Sequence, residues 1–182
     1  GMIMASIGII ANPQSGKDIR RLVSYATTID NNEKVNICKR ITLAAYGLGI
    51  EKAVYMPDTF TMGYSVQYQL EDDKMPCCEI EVLDFPFDAS MIDTIEAARL
   101  MEERGVGCVV VLGGDGTSRA AAKSLKKTPM LSISTGTNNV YPQMMEGTVA
   151  GMAAAATALM DDPYDVCIHD KRTQVFVNGG DR

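Results

Sequence analysis

Val106 to Thr117, V-G-C-V-V-V-L-G-G-D-G-T, constrains the fold more than any other stretch of the chain. Cys108 to Leu112 is apolar without alternation and rich in valine, which predicts a short strand buried on both faces, as at the centre of a parallel sheet. The run stops at Gly113-Gly114-Asp115-Gly116-Thr117, and Ser118 to Lys127 predicts a helix. Strand, glycine turn and helix in that order put a tight loop at the carboxyl end of a strand, where open α/β sheets bind ligands. Glycines admit positive φ and let backbone N–H groups approach an anion, and the helix start adds a positive dipole end suited to phosphate. Asp115 is the discordant member. A carboxylate repels phosphate unless it holds a cation or takes a proton, which points to Mg²⁺ or to a hydroxyl nucleophile. The alternative is a glycine-rich βα turn in which Asp115 caps the helix.

Two further strand–loop units flank this one. Ile7 to Ala11 predicts a buried strand that ends in Asn12-Pro13-Gln14-Ser15-Gly16-Lys17, and Asp18 to Ile29 has helical spacing. Asn12, Ser15 and Lys17 are hydrogen-bond donors in that loop; an ordinary βα turn accounts for it equally well. Met130 to Ile133 predicts another short buried strand, which ends in Ser134-Thr135-Gly136-Thr137-Asn138-Asn139.

Between these units, Asp30-Asn31-Asn32-Glu33-Lys34 reads as a linker and Val35 to Leu48 as a helix. Ala53 to Met56 predicts a strand, Thr59 to Gln69 a helix or an irregular segment, and Glu71 to Lys74 a solvated turn. Glu79 to Phe85 alternates, as a less buried strand does. Asp88 to Arg104 predicts a helix with an apolar face of Ala89, Ile92, Ile95, Ala98, Leu100 and Met101. Met145 to Met160, dense in alanine and glycine, predicts a helix packed closely on a sheet. Asp165 to Ile168 and Gln174 to Asn178 predict two strands, a change from βα to ββ order that marks an antiparallel region.

Composition narrows the function classes. A net charge of −6 excludes the basic stripe that nucleic-acid binding needs. The longest small-apolar stretch, Gly147 to Met160, falls short of the roughly 20 residues a bilayer span requires. No basic segment precedes the first strand, so the expectation is a cytoplasmic protein without membrane contact. The five cysteines (Cys38, Cys77, Cys78, Cys108 and Cys167) show no metal spacing; adjacent Cys77 and Cys78 read as reduced thiols, with a redox pair as the alternative. His169 is the single histidine, so no metal ligand set is assigned. Exposed strand edges favour a homo-oligomer.

The three strand-end loops, taken in order, resemble the ATP-NAD kinase superfamily, which includes the diacylglycerol and sphingosine kinases and is related to phosphofructokinase. Gly113 to Thr117 matches the GGDGT motif. Ile133 to Gln143, I-S-T-G-T-N-N-V-Y-P-Q, looks most like the acetoin-catabolism protein X branch, as does the opening A-N-P-Q-S-G-K-D-I-R-R, itself similar to the NPxSG loop of the lipid kinases. The resemblance covers Ile7 to Met160. It implies an α/β fold, a three-layer, doubly wound, mostly parallel sheet over residues 2–162, followed by a β-rich second domain of which residues 163–182 are the start and the rest is absent.

By the same resemblance, Asp115 acts at the acceptor hydroxyl or organises Mg²⁺ and phosphate. Gly113, Gly114, Gly116 and Thr117 line the triphosphate. Ser134, Thr135, Gly136, Thr137 and Asn138 line the adjoining nucleotide pocket, with Asn139 and Glu146 as weaker members. Asn12, Ser15, Gly16 and Lys17 belong to the phosphate loop. The implied activity is ATP- and Mg²⁺-dependent phosphorylation of a hydroxyl on NAD or a related small molecule. A lipid or small-diol kinase and a non-catalytic nucleotide-binding domain linked to acetoin catabolism are the alternatives.

Overall fold

A computed structural model of the chain describes residues 4–11, 24–133, 143–160 and 173–176. Its elements are β1 (Ser6–Ala11), α1 (Ser24–Gly47), β2 (Lys52–Tyr55), α2 (Met62–Asp72), β3 (Glu79–Val82), α3 (Met91–Glu103), β4 (Val109–Leu112), α4 (Asp115–Ala122), β5 (Met130–Ile133), α5 (Gln143–Leu159) and β6 (Thr173–Phe176). The strands form one sheet in the order β3-β2-β1-β4-β5-β6. The first five are parallel, and β6 lies antiparallel beside β5, with Thr173 opposite Ile133 and Phe176 opposite Met130. This is the expected three-layer, doubly wound α/β architecture.

Side chains alternate across the sheet and build a core on each face. Ile7, Ile9, Tyr55, Val110, Leu112 and Leu131 pack under α1, α2 and α5. Ile10, Val54, Val109, Val111 and Met130 pack under α3 and α4. β4 is buried along its whole length, as its unbroken valine run requires. β3, at the edge, is only partly covered.

Several local expectations are corrected. Asp30 to Lys34 is not a linker but lies inside α1. Asn31, Lys34, Val35, Cys38, Ile41 and Ala45 are all buried, so the helical inner stripe runs straight through the polar stretch, and packing overrides its composition. Thr59 to Gln69, left open by the sequence, contains the start of α2, because the Asp58 carboxylate accepts from the N–H groups of Phe60 (2.7 Å) and Met62 (3.1 Å) just ahead of that helix.

The buried face of α3 is also rotated from the expected one. Ile92 is 70% exposed, whereas Asp93 is 5% exposed. The Asp93 carboxylate gathers the N–H groups of Asp88 and Ala89, and Ala89 itself has φ 67°, so this turn is held by the side chain that periodicity would have placed in water. The helix after the glycine turn is Asp115–Ala122, not Ser118 to Lys127. Its continuation loses out to other partners: the Glu102 carboxylate takes the N–H groups of Lys127 (2.8 Å) and Thr128 (3.0 Å), and Leu125 turns into the core.

In α5 the glycines face a helix and not the sheet. A Cβ on Gly147 would stand 2.9 Å from both Arg40 Cβ and the Ile37 carbonyl oxygen, so α1 and α5 meet nearly backbone to backbone, while Ala150 and Ala154 fill the core. Gln174 to Phe176 is a strand as expected, and it joins the main sheet; Asp165 to Ile168 lies outside the described residues. Among the described residues no helix is long and apolar enough to cross a membrane.

Candidate functional site

The chain order reverses beside β1: β2 and β3 continue to one side of it, β4 and β5 lie on the other. A doubly wound sheet opens its crevice at such a point, outside the carboxyl ends of the two central strands. Ala11 pairs with Leu112, and Leu112 pairs with Ile133, so the last described residues of β1, β4 and β5 form one row. Each of the three motifs singled out in the sequence begins at the next residue. The parallel register, and not any sequence proximity, brings their starting points together. Asn12, Ser15, Gly16, Lys17, Ser134, Thr135, Gly136, Thr137, Asn138 and Asn139 themselves lie outside the described residues.

The central turn is described in full. Gly113 donates its N–H to the Ile133 carbonyl at 3.2 Å, which ties the turn to β5. Its φ is 156°, and a Cβ there would stand 3.0 Å from Thr117 Oγ1, so only glycine fits comfortably. Thr117 is buried beneath the turn, and Ser118 Oγ hydrogen-bonds to Ser132 Oγ on β5.

Gly114 and Gly116 are different. Gly114 has an ordinary extended backbone (φ −92°, ψ −172°), and a Cβ added to it would meet nothing within 4 Å. A Cβ on Gly116 would meet only Met91 Cε, at 3.7 Å. Neither the protein's packing nor its backbone conformation demands glycine at these two positions, and glycine inside a helix costs about 1 kcal/mol relative to alanine. What their bareness does is leave open space in front of the first turn of α4, where the leading N–H groups of any helix are without intrahelical acceptors. That is a cradle which two methyl groups would fill.

Asp115 is the first residue of α4, and Gly114 holds the N-cap position. The capping alternative fails on position: glycine and not Asp115 is the N-cap, and Asp115 is exposed at the mouth of the turn. Among the described residues there is no group of three or more His, Cys, Asp or Glu placed to hold a metal ion.

One polar cluster near this edge was not foreseen. Asp58 lies three residues past β2, whose neighbour is β1, and it is 7% exposed. Burial raises its pKa, against the lowering effect of the Met62 and Phe60 N–H groups. Asn31 and Lys34, on α1, are 6% and 4% exposed. Asp58 and Lys34 both act electrostatically on the buried thiol of Cys38, whose pKa is pushed up to about 12, chiefly by desolvation. The available signal was Met56-Pro57-Asp58, a strand-end proline followed by a carboxylate; the helical stripe through Asn31 and Lys34 was obscured by their polarity.

The sequence matches the family described as ATP-NAD kinase N-terminal domain over residues 7–164. It is 36% identical over 180 residues to acetoin catabolism protein X of Cupriavidus necator, an alignment that takes in 96% of this chain and 50% of that one. The chain thus spans half the length of that relative. No solved structure matches it.

Proposed function

The chain belongs to the ATP-NAD kinase family, and on that premise we propose that in the whole protein it binds ATP with Mg²⁺ at the β1–β4 crevice and transfers a phosphoryl group to a hydroxyl of NAD or a related small molecule. The observation that carries this reading is the unforced bareness of Gly114 and Gly116 in front of a helix start, beside an exposed Asp115. Residues 2–162 act as the nucleotide-binding domain, and residues 163–182 lead into a β-rich second one, with β6 paired to the edge of the first domain's sheet. The setting is cytoplasmic.

Phosphoryl transfer asks mainly for positioning and charge neutralisation. The N–H groups of the Gly113 to Thr117 turn face phosphate oxygens, helped by the α4 dipole. Mg²⁺, when bound, neutralises charge on the transferred group. Asp115 orients the acceptor hydroxyl and takes its proton as the hydroxyl oxygen bonds to the γ-phosphorus and ADP leaves. Asn12, Ser15, Gly16 and Lys17 are assigned to phosphate, and Ser134 to Asn139 to the rest of the nucleotide.

The similarity to acetoin catabolism protein X favours a second reading, a nucleotide-binding regulatory domain within acetoin catabolism. A thermal-shift titration of the whole protein with ATP, NAD and NADP, with and without Mg²⁺, tests the site, because ligands that bind the native state raise its apparent stability. Labelled-phosphate transfer from ATP by the whole protein then separates the two readings. Binding with turnover supports the kinase, binding without turnover the regulatory domain, and no shift with any nucleotide overturns both.

A further inference from the structure

Cys77 and Cys78 lie at the opposite end of the sheet from the glycine turn, immediately before β3. Their Sγ atoms are 4.0 Å apart. They line a surface cleft of about 260 Å³ together with Leu70, Glu71 and Met75. Cys78 is buried and Cys77 half-buried.

The geometry favours a bridging atom over a disulfide. Adjacent residues hold their Cα atoms about 3.8 Å apart, below the roughly 4.4 Å at which ordinary disulfides begin. A bond between neighbouring cysteines therefore strains the backbone. One atom bonded to both sulfurs at about 2.3 Å, a usual thiolate–metal length, subtends an angle of about 120° when the sulfurs are 4.0 Å apart. That is a trigonal angle. Thiolate and thioether donors together select a soft d¹⁰ cation such as Cu(I), and Met75 brings a thioether to the same cleft.

We propose that Cys77 and Cys78 form a two-thiolate site for a soft monovalent d¹⁰ cation of the Cu(I) class, with Met75 at its rim. Each thiol releases its proton to solvent as its sulfur–metal bond forms. Two thiolates in a surface cleft make an open site, unlike the closed four-ligand set of a structural zinc centre. Cys38 and Cys108 do not compete: both are fully buried, and neither lines the cleft.

The test is an anaerobic titration of the full chain with Cu(I) against a chromophoric Cu(I) chelator. The expected result is one Cu(I) per chain, with affinity at least tenfold weaker in Cys77→Ser and in Cys78→Ser and unchanged in Cys167→Ser. Affinity that survives both of the first two substitutions, or that follows Cys167, overturns the proposal. If either variant fails to fold, alkylation mapping of the native chain decides. Cu(I) protects Cys77 from alkylation if the site is real, and undiminished labelling of Cys77 at saturating Cu(I) overturns it.

Discussion

The backbone of Gly151 in α5 lies directly against that of Ile41 in α1: a Cβ at position 151 would overlap the Ile41 carbonyl oxygen and stand 2.9 Å from Ala44 Cβ. Backbone atoms cannot swing aside as a side-chain end does. Gly151→Ala therefore forces the two helices apart and is expected to destabilise the chain by about 1–3 kcal/mol, the range for overpacking a tight core. Urea unfolding measures it. Wild-type stability in that variant would refute the contact.

Gly114→Ala should behave in the opposite way. The added methyl meets nothing of the protein within 4 Å, so unfolding should move by no more than about 1 kcal/mol, the cost of alanine at an N-cap. The thermal shift produced by ATP should fall sharply. A variant that binds ATP as wild type does would remove the cradle argument.

Asp115→Asn keeps the size of the side chain and, because Gly114 and not Asp115 holds the N-cap position, leaves the start of α4 in place. In the whole protein, turnover should drop by about a hundredfold or more, the contribution of a general base, with nucleotide affinity held within a few-fold. Steady-state kinetics and ATP binding on one sample test this together. Undiminished turnover would deny Asp115 its role.

Asp58 gives a pH-dependent test. Burial raises its pKa above the ordinary 3.8, so the native chain holds this proton more tightly than the unfolded chain does. Its contribution to stability is thus fully present below 3.8 and is lost as pH rises through the folded value. Asp58→Asn keeps an acceptor for the Phe60 and Met62 N–H groups and removes the charge. The variant's Tm should match wild type near pH 3 and exceed it increasingly toward neutral pH. A gap that narrows with rising pH would contradict the sign.

Legibility followed how locally each element is determined. The buried β4 and its glycine turn were readable because five apolar residues in a row followed by three glycines in four admit few folds. The alignment of the three loop-bearing strands was implied by the parallel sheet, and the register places Ala11, Leu112 and Ile133 side by side. α1 was misread because Asn31 and Lys34 are buried when the helix packs into the fold, a fact no window of its own sequence contains. The exchange of Ile92 for Asp93 on the inner face of α3 arises because the turn four to five residues upstream needs that carboxylate as an acceptor. The chemistry of Asp58 was missed because its role rests on where β2 ends beside β1.

The pairing of β1 with β4 also sets a temporal order. Gly8 meets Val109 across about a hundred intervening residues, whereas Ser6 meets Lys52 across fewer than half as many. Closing the longer loop costs more chain entropy, and sheets built from such distant partners fold slowly. On the ribosome, β1 must wait with one edge unpaired until β4 has emerged. The contact that joins the two halves of the sheet is the same one that sets Ala11 against Leu112, so a chain in which it has not formed has no crevice in which to hold a nucleotide.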